Sequence, residues 1–216
     1  MEVICMQNTR TNREKTTRVR WLCVTAMLGA MAAVLQFLNF HVPIMPSFIS
    51  FDVAELPALI ASFSMGPLSG VCVCLIKNLV NLFHTSTGGV GELSNFLLGC
   101  AFVIPAGIIY KSHKTKKRTV IGALIGCVTM AVLSVFTNYF IVYPIYTNFM
   151  PMDAIINAYK AIYSGVDNLL EALIIFNMPF TFVKGLASTV ITVAIYKYIS
   201  PMLKGRKEVK KESAAL

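Results

Sequence analysis

Charge is scarce in this chain. Only 13% of its 216 residues are Asp, Glu, Lys or Arg, where a soluble protein carries about a quarter. So few ionisable groups cannot cover a water-facing surface of this size, and lipid must be the solvent. Acids are scarcer still, ten against nineteen bases, and no span carries the row of several acids that a proton relay uses. Histidine occurs only as His41, His84 and His113, each in or beside a loop, which gives no basis for a histidine-centred acid–base site. No G-x-x-x-x-G-K-[ST] phosphate loop, H-E-x-x-H metal helix or G-x-S-x-G elbow occurs, so the chain lacks the ATPase, metalloprotease and hydrolase sites those motifs build. The cysteines (Cys5, Cys23, Cys72, Cys74, Cys100 and Cys127) lie mostly in apolar stretches. Cys72 and Cys74 make a C-x-C pair without a nearby histidine, poor spacing for zinc, and no outer loop offers a pair for a disulfide. They read as small hydrophobes, with no metal or redox role.

What is present in strength is apolar length punctuated by positive charge. The chain is 56% hydrophobic, with a mean hydropathy of +0.68. Most of its bases fall in three clusters: Arg10, Arg13, Lys15, Arg18 and Arg20; Lys111, Lys114, Lys116, Lys117 and Arg118; Lys204, Arg206, Lys207, Lys210 and Lys211. Bases that flank apolar spans, instead of sharing a face with aromatics, argue against nucleic acid as a partner. Positive charge accumulates on the cytoplasmic side of a bilayer, so the clusters mark three returns of the chain to the cytoplasm, with an even number of spans between each pair.

A membrane-crossing helix needs about 20 residues. The predicted spans are residues 21–40, 53–64, 68–83, 92–110, 119–143 and 166–199, the second and third being short. The first is too long for the apolar core of a signal peptide and has no cleavage site. Asp52 stands where it can cap the second span, Met65-Gly66-Pro67 turns the chain, the run HTSTGGVG at 84–91 ends the third span, and Pro144 stops the fifth. The expected architecture is an all-α membrane protein of six transmembrane helices with both termini cytoplasmic. It comprises a basic segment at 1–20, a substrate-binding bundle at 21–200 and a basic tail at 201–216. The loops at 41–51, 84–91 and 144–165 then lie outside. The last of these holds a short interfacial helix, and Tyr143, Tyr146, Tyr159 and Tyr163 suit the headgroup level.

Polar groups at membrane depth are costly and usually face a cavity or one another. On the sixth span Asn177, Thr181, Lys184 and Ser188 recur at steps of four, three and four, which puts them on one helical face. Lys184 is too deep to reach water easily, so a ligand cavity is favoured over a carboxylate partner or snorkelling. Ser134 and Asn138 lie one turn apart on the fifth span, and Glu92, Asn95 and Gly99 form a row on the fourth. Lys77, Asn78 and Asn81 cluster on the third, either as a structural ion pair with packing contacts or as ligand contacts. Ala26, Ala30 and Ala33, with Gly29 among them, give the first span a face of small residues that another helix can approach, inside the bundle or in a partner.

Three stretches carry a resemblance: FDVAELPALIASFSMGPLSG (51–70), LIKNLVNLFHTSTGGVGELSNFLLG (75–99) and PFTFVKG (179–185). They are similar to the riboflavin-specific S components (RibU family) of energy-coupling factor (ECF) vitamin transporters, and the likeness extends over residues 20–204. It implies an S-component bundle in a bacterial plasma membrane that binds riboflavin from outside and delivers it through a separate coupling protein and two ATPase subunits. No cofactor and no catalysis are implied for the chain itself. The family's sixth-helix pattern P-F-N-x-x-K-G assigns a ligand-contacting lysine to Lys184 and an asparagine to the position held here by Thr181, for which Asn177 offers a substitute amide. Asn138 matches the fifth-helix asparagine that contacts the isoalloxazine ring. Phe48, Ser50 and Phe51 fall in the first loop that closes over the ligand, and Ala26 and Ala30 fall in the motif that docks the coupling protein. A flat amphipathic ring with an imide edge needs aromatic faces and a few amide or ammonium donors. Phe48 and Phe51 can supply the faces, Asn138, Thr181 and Lys184 the edge, and Asn95 with the backbone of 88–91 partners for the ribityl hydroxyls. The competing expectations are an S component for another vitamin, and a small secondary transporter or membrane enzyme.

Overall fold

The computed structural model describes residues 2–41, 50–85, 88–112, 115–148, 151–163, 165–166 and 168–204. Helix α1 (Glu2–Phe37) leads into a two-residue antiparallel pairing of β1 (Phe40–His41) with β2 (Ser50–Phe51), Phe40 opposite Phe51. Then come α2 (Glu55–Met65), α3 (Pro67–Asn81) with a 3-10 turn at Leu82–His84, α4 (Val90–Ser112) and α5 (Lys116–Thr137). A π turn at Asn138–Val142 joins α5 to α6 (Tyr143–Tyr146). Helix α7 (Met152–Lys160) precedes α8 (Leu169–Ala172), which passes through a second π turn, Leu173–Asn177, into α9 (Met178–Lys204).

Five helical stretches among the described residues are long and apolar enough to cross a membrane: Thr17–Phe37, Pro67–His84, Val90–Ser112, Lys117–Tyr146 and Leu169–Ile195. Helix α2 is apolar but only 11 residues long. It is also the most enclosed: everything from Glu55 to Phe63 is buried, and α3, α4, α9 and α1 all pack against it. The bundle inverts the soluble pattern. Leu22, Met27, Met31, Ile108, Val128, Phe136, Val183 and Val190 point outward, while Thr25, Ser62, Ser69, Lys77, Ser134 and Ser188 point in. Several of these polar groups are satisfied between helices, as a dry bilayer interior favours, whereas the Ser188 hydroxyl has no hydrogen-bond partner among the described residues. Thr25 and Ser69 share a hydroxyl hydrogen bond of 2.8 Å, and the Ser62 hydroxyl donates to the Val103 carbonyl at 2.8 Å. Close approach uses glycine: a Cβ on Gly126 would lie 2.5 Å from the Phe102 carbonyl oxygen, so α4 and α5 meet backbone to backbone there.

Pro144 does not end the fifth helix as expected. Proline lacks an N–H and crowds the carbonyl four residues earlier, here that of Phe140, which lies inside the first π turn. The wider turn absorbs the clash and the helix runs on to Tyr146. Helix α9 repeats the device: Pro179 follows the second π turn, and the carbonyl it would crowd is that of Ile175 within it. The small-residue face of α1 also divides. Gly29 and Ala33 are buried, with Ile76 of α3 pressed on Gly29, whereas Ala26 and Ala30 face outward.

Candidate functional site

A cavity of about 150 Å³ opens between α4, the stretch from α5 to α6, the second π turn with α9, and Asp52 just ahead of α2. Each wall has a local cause. Gly88 and Gly89, with φ of 62° and 90°, take a backbone turn open to glycine, and the Gly89 amide donates to the Thr85 hydroxyl. That turn starts α4 so that Gly91, Ser94, Asn95 and Leu98 face the cavity. The first π turn begins at Asn138 and the second ends at Asn177, and both asparagines line the cavity. Below them on α9, Phe180, Thr181 and Lys184 complete the wall. π turns are frequent at functional sites because one extra residue re-aims the side chains on either side of it.

The polar edge holds unused capacity. Asn138 donates one amide hydrogen to the Ser134 carbonyl at 2.7 Å, and a side-chain amide has a second. Asn177 is buried, and its amide nitrogen has no hydrogen-bond partner among the described residues. A buried donor left unsatisfied costs about 1–3 kcal/mol, which a ligand carbonyl or hydroxyl in the cavity would recover. Lys184 Nζ donates to Asp52 Oδ2 at 2.8 Å, and Asp52 Oδ1 accepts the Ala54 amide at 2.9 Å. Burial pushes the Asp52 carboxyl up, but Lys184 and then Lys77 outweigh it and hold it below its ordinary value. Asp52 therefore stays a carboxylate beside the lysine. It holds the turn ahead of α2, whose N-cap is Ala54, so the expected capping role becomes a local turn plus a long-range ion pair.

Of the residues expected at the site, Asn95, Asn138, Asn177, Thr181 and Lys184 meet at this one cavity. Phe51 stands behind it, its ring edge-on to Phe180 at 5.9 Å between centroids. Ser50 is placed in β2 opposite His41, and Phe48 lies outside the described residues. Glu92 turns away from Asn95, accepting from Asn81 Nδ2 at 3.1 Å and from Thr85 Oγ1 at 2.9 Å. Lys77 resolves to the structural alternative: its Nζ lies 2.6 Å from Glu55 Oε1, with both side chains 1% exposed. Asp52, Ser94, Phe180, Tyr143 and Tyr146 were not expected in the lining. Tyr143 is enclosed within the protein: it is 3% exposed and shares a 2.7 Å hydroxyl hydrogen bond with Tyr159 of α7. Any polar partner satisfies a tyrosine's tip, so aromatic position alone could not distinguish membrane surface from cavity wall.

Residues 20–196 match the family model described as ECF transporter, substrate-specific component. The chain belongs to that family. Among its relatives, the riboflavin transporter RibU of Staphylococcus aureus (strain TCH60) is 32% identical over 184 residues, 85% of this chain and 92% of that protein. The riboflavin transporter FmnP of Bacillus subtilis (strain 168) is 30% identical over 194 residues, 88% and 97% of the two chains. A solved S component of a bacterial ECF transporter superposes with a TM-score of 0.69 at 28% identity, covering 87% of this chain and 99% of its own. Membership makes this ECF S component a substrate-binding transport subunit of the cell membrane, not an enzyme.

Proposed function

We propose that this S component binds riboflavin at the cavity between α4, α5, α9 and Asp52, and passes it inward as part of an ATP-driven ECF uptake transporter. The observation that carries the reading is the meeting of Asn138, Asn177, Thr181 and Lys184 at one cavity in a chain whose relatives are riboflavin transporters. The flavin ring lies against Phe180, Leu98 and Met130, and its imide edge takes hydrogen bonds from the amides and Lys184. Asn95 and Ser94 serve the ribityl hydroxyls. The first loop, with Phe48 and Ser50, covers the ligand, while Phe51 braces Phe180. Helix α2 serves as a short sixth span, which leaves the three basic clusters and both termini in the cytoplasm, with 1–20 and 201–216 flanking the bundle. Ala26 and Ala30 dock the transmembrane coupling protein, which links the subunit to two ATPase subunits. No resident cofactor takes part.

The test is direct. Titration of the purified chain with riboflavin is expected to quench flavin fluorescence with one saturable site. A protein that is colourless as isolated and leaves the fluorescence unchanged would refute the reading and favour another vitamin.

A further inference from the structure

Asp52 lines the cavity and meets Lys184 from 132 positions away in the chain, yet the flavin reading gives it no task. These are the only Asp, Glu, Lys or Arg side chains in the lining among the described residues. Residues 42–49, between the two strands, add no ionisable group of their own (VPIMPSFI). Behind this pair Lys77 and Glu55 close on each other, so they add no net charge. The wall of the cavity thus sums to zero. Lys184 alone would make it an anion site, because a buried ammonium without a counter-charge attracts any phosphate or carboxylate that reaches it. With Asp52 at 2.8 Å its charge is already balanced, and an anionic ligand would shed its water with nothing to compensate. An uncharged ligand still benefits. An ammonium has three donors, of which Asp52 takes one, and the carboxylate keeps acceptor capacity beside them. A donor next to an acceptor suits vicinal hydroxyls or an imide edge.

We propose that Asp52 sets the selectivity of this cavity for the uncharged vitamin over its phosphate monoester, by cancelling the charge of Lys184 while holding its ammonium in position. The proposal rests on the flavin reading above. Its signature is the order of preference among charge states of the wall. Define the preference as the affinity for riboflavin 5′-phosphate divided by that for riboflavin. A unit charge acting over the ~10 Å scale of a cavity, at an effective dielectric near 20, is worth roughly tenfold for each unit of ligand charge.

The experiment titrates four purified full-length proteins with both ligands by fluorescence quenching: wild type, D52N, K184M and D52N/K184M. A phosphate monoester carries about −1.5 to −2 charges at pH 7, so the preference is expected to rise roughly 30- to 100-fold in D52N, to fall by a similar factor in K184M, and to return near the wild-type value in the double variant. Asp52 is removed in two backgrounds, so failure of one variant to fold leaves the other comparison in force. Variants that bind riboflavin with the wild-type preference, even if both affinities fall together, would overturn the proposal and leave Asp52 a structural partner only. Wild type that binds neither ligand would instead refute the flavin reading itself.

Discussion

The Glu55–Lys77 pair and the Asp52–Lys184 pair look alike, yet the first is expected to act as one self-compensated unit of the packing and to do nothing for the ligand. Lys77→Met removes the ammonium 2.6 Å from Glu55 Oε1 and leaves that carboxylate 1% exposed, with the Cys74 thiol at 3.9 Å as its remaining side-chain donor among the described residues. Breaking a buried pair in this way costs about 3–5 kcal/mol, about two to three and a half powers of ten in an equilibrium constant. Replacing both partners by residues of similar volume, as Glu55→Met with Lys77→Met, removes the two desolvation costs together and is expected to be neutral or stabilising by up to about 4 kcal/mol. The assay is thermal unfolding of the detergent-purified chain, with ligand titration in parallel at a temperature where all variants are folded. Either single variant should melt far below wild type, and the double should melt at or above wild type and keep its ligand affinity. A double variant as unstable as the singles would refute the idea that the pair is one energetic unit. A folded double variant that no longer binds ligand would show that the pair serves the cavity after all.

Two further outcomes follow from helix contacts. Ala26→Leu with Ala30→Leu adds bulk to the outward face of α1, so ligand binding by the isolated subunit should survive while ATP-dependent uptake by the assembled transporter falls; lost binding in isolation would refute the docking role. Gly126→Ala drives a methyl to 2.5 Å from the Phe102 carbonyl oxygen, where backbone must move, and should destabilise the chain by about 1–3 kcal/mol in the same thermal assay.

The long helices were legible because hydropathy and Gly-Pro punctuation report length and ends directly. The polar residues of the last span were legible because a four-three-four spacing fixes a shared face whatever the tertiary structure. What the sequence hid was partnership. Lys184 and Asp52 are 132 positions apart, and nothing local in FDVAEL says which lysine its first acid will meet. The face of α1 was ambiguous for a geometric reason: Ala26 and Gly29 lie about 60° apart around a helix, so the border between bundle and exterior could fall on either side of both. Pro144 misled because a proline reads as a stop when the turn before it is taken to be α-helical. Only the π turn, which spacing does not reveal, makes room for it.

The first π turn changes how kinship in this family should be read. A π turn holds one residue more than the α turn it replaces, and each residue advances a helix by about 100°. A relative lacking one residue within 138–142 would keep the helix before the turn in register. Tyr143 and Tyr146 beyond it, both in the cavity wall, would swing around the helix axis. A single-residue gap at 138–142, just ahead of Pro144, would therefore re-aim that wall of the cavity without rebuilding the bundle.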